Sequence, residues 1–198
     1  MLHSIFPIAI GIYHIDIPED LDEKFFESLK ISGSHGLVLN GESSHESSGK
    51  GTDNLLNIQG LEHIKDQIRI CLDEYAFQSG LKRLAITSSW FNIMKPGGMV
   101  LPHRHKVSTV SGALYVKSKE NTCPLILKNP RDSMTMLEMP YTDSSFTSDK
   151  VVIDSQKGRL IIFPSYIEHY TEVNKSNEDR IVISFNTLPF HPEPLQVD

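Results

Sequence analysis

The sequence predicts a mainly β fold, an antiparallel sandwich or barrel with helices from its N-terminal part packed on one sheet. Three observations carry this. From Arg83 onward, short runs of β-branched and aromatic residues are separated by the turn chemistry of "KPGG", "SKENT", "NPRDS" and "SQKG". Helical spacing is confined to the chain before Arg83. The 198 residues, 39% hydrophobic and 22% charged, fit one globular domain spanning 1–198 with a core of its own.

Each element follows from local chemistry. Residues from Ile5 to Ile17 are rich in Ile and aromatics but interrupted by Pro7 and Gly11, which predicts an edge strand. Pro18, followed by Glu19 and Asp20, opens a short helix with Leu21, Phe25, Phe26 and Leu29 on one face. The stretch "SGSHGLVLNGESSHESSGKGTDN" has no sustained periodicity and predicts a long loop holding His35 and His45. Leu61, Ile64, Ile68, Leu72 and Tyr75 recur at helical spacing up to Gln78, with Gly80 as the stop, and this helix is expected across a sheet. The polar segment from Ser133 to Lys157 predicts a flap or an inserted hairpin.

Composition narrows the function classes. A formal charge of −6 gives no electrostatic reason to expect nucleic acid or an anionic membrane as partner. No run approaches the roughly 20 apolar residues of a membrane helix, and the N-terminal apolar stretch lacks a basic start and a small-residue cleavage site. The two cysteines, Cys71 and Cys123, are too few for a disulfide framework and fit a reducing cytoplasm.

The chemistry centres on "GGMVLPHRHKVSTVSGALYV". On a strand, residues two apart share a face, so His103 and His105 point one way and Arg104 the other. A lone His-x-His is most often surface polarity. Here it is one half of a pattern: Gly97, five residues, then His-x-His, answered by Gly158, five residues, Pro164, and His169 five residues on. That paired spacing is shared by small barrels of the cupin type. The glutamate usual in cupins is absent, since Ser108, Thr109, Val110 and Ser111 fill its region, which leaves three ligands. Three facial ligands leave open positions on an octahedral ion, as non-haem Fe(II) enzymes need for a cosubstrate and dioxygen. The common oxygenase triad has Asp where His105 stands. Asp132 is the nearest alternative carboxylate by type.

If the cosubstrate is 2-oxoglutarate, its far carboxylate needs a partner inside the barrel, and arginine's planar fork suits it. Arg180 opens "RIVISFN", where alternation puts Arg180, Val182, Ser184 and Asn186 on one face and Ile181, Ile183 and Phe185 on the other. The bland alternative is an exposed Arg180 paired with Glu178 or Asp179. Asn92 in "SSWFNIM" and Tyr115 in "SGALYVK" are further candidates for the cosubstrate pocket, with buried structural roles as their alternatives. Arg131 is a candidate for orienting substrate or for capping a turn.

The ordered motifs "WFNIMKPGG", "HRH", "SGALYV", "NPRD", "GRLIIFPSYIEH" and "RIVISFN" resemble the 2OG-Fe(II) oxygenases of a prolyl-hydroxylase-like group found in marine bacteria and their phages. The likeness covers most of the chain. It implies a double-stranded β-helix (jelly roll, cupin-like), Fe(II) held by His103, His105 and His169, and 2-oxoglutarate anchored by Arg180; strand alternation adds Ser184 to Asn92 and Tyr115 as candidates for the cosubstrate pocket. The implied activity is hydroxylation of a substrate, a protein side chain or a small molecule, with release of succinate and CO2. The residues alone leave two alternatives open: a cupin-like metal enzyme without 2-oxoglutarate, and a non-catalytic barrel that serves as a binding module. A homodimer through the helical side or an edge strand fits the same reading.

Overall fold

The computed structural model describes residues 6–29, 35–45, 54–119, 123–131 and 148–190. Its elements in chain order are β1 (Gly11–His14), α1 (Glu23–Ser28), β2 (Val38–Ser43), a 3-10 turn (Leu55–Asn57), α2 (Glu62–Gln78), β3 (Leu84–Val100), β4 (Val110–Lys117), β5 (Leu125–Lys128), β6 (Lys150–Ile153), β7 (Arg159–Pro164), β8 (His169–Thr171) and β9 (Arg180–Pro189). They form two antiparallel sheets, one in the order β1-β7-β4-β9-β3-β2 and a smaller one in the order β6-β5-β8. This is the predicted double-stranded β-helix. No described helix is long and apolar enough to cross a membrane.

The two faces of the large sheet do different work because side chains alternate along each strand. Outward-facing Phe91 and Ile93 on β3, Leu114 on β4, and Ile181, Ile183 and Phe185 on β9 form the main core. Against them pack Ile64, Ile68 and Leu72 of α2 and Phe26 of α1. Inward-facing Ala113, Tyr115, Phe163 and Val182 meet Leu125 and Leu127 of the small sheet in a second cluster. The expected packing of N-terminal helices on one sheet is therefore present, and α2 keeps its predicted extent to within a residue.

Other elements differ from expectation for identifiable reasons. The predicted edge strand is present but short: β1 pairs only with β7. The first helix begins at Glu23, five residues after Pro18, because the Asp22 side chain accepts a hydrogen bond from Phe25 N at 3.1 Å and caps it there. The predicted long loop contains β2, which local propensity conceals: four of the six residues of "VLNGES" are Asn, Gly, Glu and Ser, and pairing with β3 supplies what the sequence lacks. Ser44 continues the contact, donating from N to Phe91 O and accepting from Phe91 N at Oγ, both at 2.9 Å.

"KPGG", read as a turn between strands, lies inside β3. Pairing jumps from Leu39↔Met99 to Gly41↔Met94, so residues 95–98 bulge out opposite the single residue Asn40. Gly97 takes a φ of +82°, open to glycine at little cost, and Asn40 Nδ2 donates to Pro96 O at 2.8 Å. The bulge is pinned from the connection between β8 and β9, with Gly97 N donating to Asn174 O at 2.8 Å and Asn174 N to Gly98 O at 2.7 Å. Within the predicted 133–157 flap or hairpin, β6 pairs antiparallel with β5, while residues 132–147, Asp132 among them, lie outside the described residues.

Phe91 ties sheet to helix, 1% exposed and edge-on to Phe26 with centroids 5.1 Å apart. Phe91→Ala is expected to destabilise the protein by about 3–5 kcal/mol, read as a lowered midpoint of urea unfolding.

Candidate metal centre and cosubstrate pocket

His103, His105 and His169 meet between the two sheets, each offering a ring nitrogen within 4.8 Å of the others. No regular strand carries the first two. His103 forms an isolated bridge to His169, with His103 N donating to His169 O at 3.0 Å and His169 N to His103 O at 2.9 Å, while His105 N donates to Ser165 O at 3.1 Å. The alternation still holds for the imidazoles, whose Nε2 atoms on residues 103 and 105 lie 3.2 Å apart. For Arg104 it holds only loosely: its guanidinium turns to Glu168 at 3.5 Å, yet the residue borders the mouth of the cavity.

The outer nitrogens explain why the inner ones converge. His103 Nδ1 lies 2.8 Å from Leu101 O and His169 Nδ1 lies 2.9 Å from Ile167 O, contacts that a protonated Nδ1 alone can make. His105 Nδ1 faces Asn186 Oδ1 at 2.5 Å and Ser111 Oγ at 2.8 Å. At His103 and His169 the hydrogen on Nδ1 leaves Nε2 a lone pair that faces inward, the orientation metal-binding imidazoles need. Burial lowers the pKa of all three. His105 is pushed down to about 4 and His169 to about 3, first by desolvation and then by neighbouring imidazoles. The rings are therefore neutral at pH 7, the form that binds a cation.

The histidines line a cavity of about 360 Å³ that also takes in Asn92, Arg180, Ser184 and Asn186. Arg180 is 4% exposed, which excludes the surface pairing with Glu178 or Asp179. Its guanidinium lies 4.6 Å from the Tyr115 ring centre and 3.8 Å from Met94 Sδ. Three buried polar atoms have no hydrogen-bond partner among the described residues: Arg180 Nε, Tyr115 Oη and Asn92 Oδ1. Leaving such atoms unmade costs about 1–3 kcal/mol each. All three belong to residues the sequence nominates for an acidic cosubstrate, and a carboxylate beside Arg180 is the acceptor that Arg180 Nε and Tyr115 Oη lack. Burial also raises the Tyr115 pKa, partly offset by Arg180, so its hydroxyl remains a donor. The residues present fit a metal ion and a dicarboxylic acid.

Here the comparisons decide. The sequence matches the family described as "Putative 2OG-Fe(II) oxygenase" over residues 88–186, half of its 198 residues. The chain belongs to this family. It is an Fe(II)- and 2-oxoglutarate-dependent oxygenase, and iron and 2-oxoglutarate are its cofactors. The matched span runs from β3 to Asn186 on β9 and includes every histidine of the cluster and Arg180.

Solved structures share the fold at low identity. A 2OG-Fe(II) oxygenase family protein from Burkholderia pseudomallei aligns with a TM-score of 0.52 at 11% identity, covering 71% of this chain; this chain spans 62% of that one's length. A prolyl hydroxylase from Trichoplax adhaerens, in complex with a hypoxia inducible factor peptide fragment, aligns at 0.59 and 13%, covering 91% of this chain and 83% of that one. HygX from Streptomyces hygroscopicus, with nickel, 2-oxoglutarate and hygromycin B bound, aligns at 0.54 and 10%, covering 92% and 83%. Comparison with curated proteins finds no match.

Of the residues nominated from sequence, six line the cavity, His103, His105, His169, Arg180, Asn92 and Ser184, while Tyr115 is fully buried beneath the Arg180 guanidinium. Arg131 does not join them. It is exposed, with its N bonded to Asn129 Oδ1 at 3.0 Å and its NH2 to Phe6 O at 2.9 Å, closer to the turn-capping alternative. Sequence reasoning gave no role to Asn186 and Ser111, which hold His105, or to Trp90, His35 and His45. Ring centroids step from His35 to His45 (5.0 Å), to Trp90 (5.1 Å) and to His105 (5.6 Å), making one wall of the cavity. Asn186 was signalled by sharing a face with Arg180; nothing local announced that His35 and the "ESSH" stretch return to the site.

Tyr115→Phe removes a buried hydroxyl without a partner while keeping the ring. The ligand-free protein should be unchanged or up to about 1 kcal/mol more stable, whereas the rise in melting temperature on adding 2-oxoglutarate should shrink. Thermal unfolding of both variants with and without 2-oxoglutarate checks this.

Proposed function

We propose that His103, His105 and His169 hold Fe(II) through Nε2, that Arg180 receives the distal carboxylate of 2-oxoglutarate, and that the enzyme hydroxylates a substrate entering past Trp90. The observation that carries this is the coincidence in one cavity of three converging imidazoles and a buried guanidinium that has no carboxylate partner among the described residues. When bound, the iron and cosubstrate supply the oxidising chemistry, turning dioxygen and 2-oxoglutarate into succinate, CO2 and an oxygen atom for the substrate.

This chain's residues do the positioning. Arg180 sits at the start of β9, fixed by its register with Met94, and sets the depth to which an acid enters. Tyr115 Oη adds a donor beside it, Asn92 lines the same cavity, and Ser184 lies four residues along the same face. Phe163, its ring 4.7 Å from that of His169, walls off one side and excludes water. The mouth, with His35, His45 and Trp90 on one wall and Arg104 and Lys106 at its edge, is where substrate binds. Both a peptide and an antibiotic occupy proteins of this fold, so a protein side chain and a small molecule both remain within the proposal.

We read residues 1–198 as one catalytic unit, because β1 near the start and β9 near the end join the same sheet. The free thiols Cys71 and Cys123 support a cytoplasmic setting. A homodimer would use the exposed side of α2, where Ile70 is 68% and Phe77 86% exposed, in keeping with the helical-side expectation.

Anaerobic titration with Fe(II) and 2-oxoglutarate should produce a visible charge-transfer band, and admission of air should release succinate. Arg180→Leu should keep metal affinity but weaken 2-oxoglutarate binding by about 2–5 kcal/mol. His169→Ala should weaken metal binding by more than about 100-fold, beyond the loss expected of an outer partner. A band that forms equally well in Arg180→Leu would favour a metal enzyme without 2-oxoglutarate anchoring at this site.

A further inference from the structure

His105 stands where the common triad has an acid, and its surroundings differ from those of the other two imidazoles. His103 and His169 are each oriented by a backbone carbonyl two residues earlier, Leu101 O and Ile167 O. His105 has side-chain partners instead: Asn186 Oδ1 at 2.5 Å and Ser111 Oγ at 2.8 Å. Those two residues are register partners across β4 and β9, and Ser111 Oγ itself lies 2.7 Å from Asn186 Oδ1. Ser111 is fully buried and continues to Ser165 Oγ at 2.7 Å, which continues to Ser108 Oγ at 2.8 Å. Ser108 Oγ ends the chain on Thr187 O and Val110 O, both at 3.2 Å.

We infer that Asn186 is a positioning residue for the metal centre, whose Oδ1 holds the proton of His105 on Nδ1 and so delivers Nε2 to the ion. This rests on the reading of His105 as a ligand. Chemistry leaves two proton arrangements for the pair. In one, His105 Nδ1–H donates to Asn186 Oδ1 and Nε2 is a lone pair. In the other, the Asn186 amide is turned over, its NH2 donates to a bare Nδ1, and the proton sits on Nε2, where it blocks a metal. Ser111 favours the first arrangement: Ser108 Oγ donates to backbone carbonyls and Ser165 Oγ to Ser108, so Ser111 Oγ donates to Ser165 and accepts on its other side, where His105 Nδ1 lies 2.8 Å away and must then carry the proton. The polar serine chain behind it then orients Ser111 through bonds that end on backbone carbonyls.

Substitution by aspartate separates the arrangements, because a carboxylate can only accept. It suits an Nδ1–H and opposes a bare Nδ1. Co(II) affinity, measured by chelator competition, should fall about 10- to 100-fold in Asn186→Leu and return to at least the wild-type value in Asn186→Asp. Long-range 1H–15N NMR of the metal-free wild type should find the His105 proton on Nδ1. A residue that merely fills space would show no such rescue. If Asn186→Leu binds Co(II) as wild type does while His105→Ala binds weakly, the positioning role is overturned and the ligand role stands. If His105→Ala also binds as wild type does, both are overturned. Should Asn186→Leu fail to fold, weaker binding by Asn186→Asp, or an Nε2 proton in the NMR spectrum, overturns the inference by itself.

Discussion

The strict alternation of side chains on β3, β4 and β9 is the constraint from which the rest follows. Ile181, Ile183 and Phe185 must lie against α2, so Arg180, Val182, Ser184 and Asn186 must lie toward the cavity. A slip of one residue would exchange the sets and bury the apolar face of neither. Each buried aliphatic or aromatic side chain contributes about 1.5–3 kcal/mol. The core therefore fixes the register, and the polar face, which stabilises nothing by itself, is carried into place.

Local pattern made that much legible. Period-two alternation in "RIVISFN" and "SGALYV" identified both faces correctly, and the recurrence of Ile64, Ile68 and Leu72 gave α2 nearly to the residue. The metal cluster was legible because two separate glycine-to-histidine spacings matched, and in the fold both glycines, Gly97 and Gly158, adopt the left-handed φ of +82° that such turns demand. What stayed hidden was long-range. β2 has no propensity of its own and exists through its pairing with β3, so His35 and His45 looked like loop residues. Nor could spacing show that the place of the missing cupin glutamate is taken by Ser111, which grips His105 from behind rather than reaching an ion.

The cavity is built against its own stability. Arg180, Tyr115 and Asn92 leave polar atoms unsatisfied in a region where the protein could have packed carbon. Its charge balance is also uneven. Three neutral imidazoles bring no negative charge, so a 2-oxoglutarate dianion offsets Fe(II) and the Arg180 charge is left over. Among the described residues lining the cavity no carboxylate appears, while Arg104, Lys106 and Arg180 do, in a chain whose formal charge is −6. Such a local field draws acids inward even though the molecule as a whole repels them.

The four-residue bulge at Lys95–Gly98 bears on how this architecture tolerates insertion and deletion. Upstream of it, Trp90 to Met94 are locked to β9; downstream, Val100 and His103 are locked to β2 and to His169. Between these two clamps the chain has slack, opposed on β2 by the single residue Asn40 and tied to Asn174 by two backbone hydrogen bonds. A residue gained or lost there during divergence would alter the size of the protrusion and leave both registers standing, so the strand can vary in length while the ligands it feeds keep their aim.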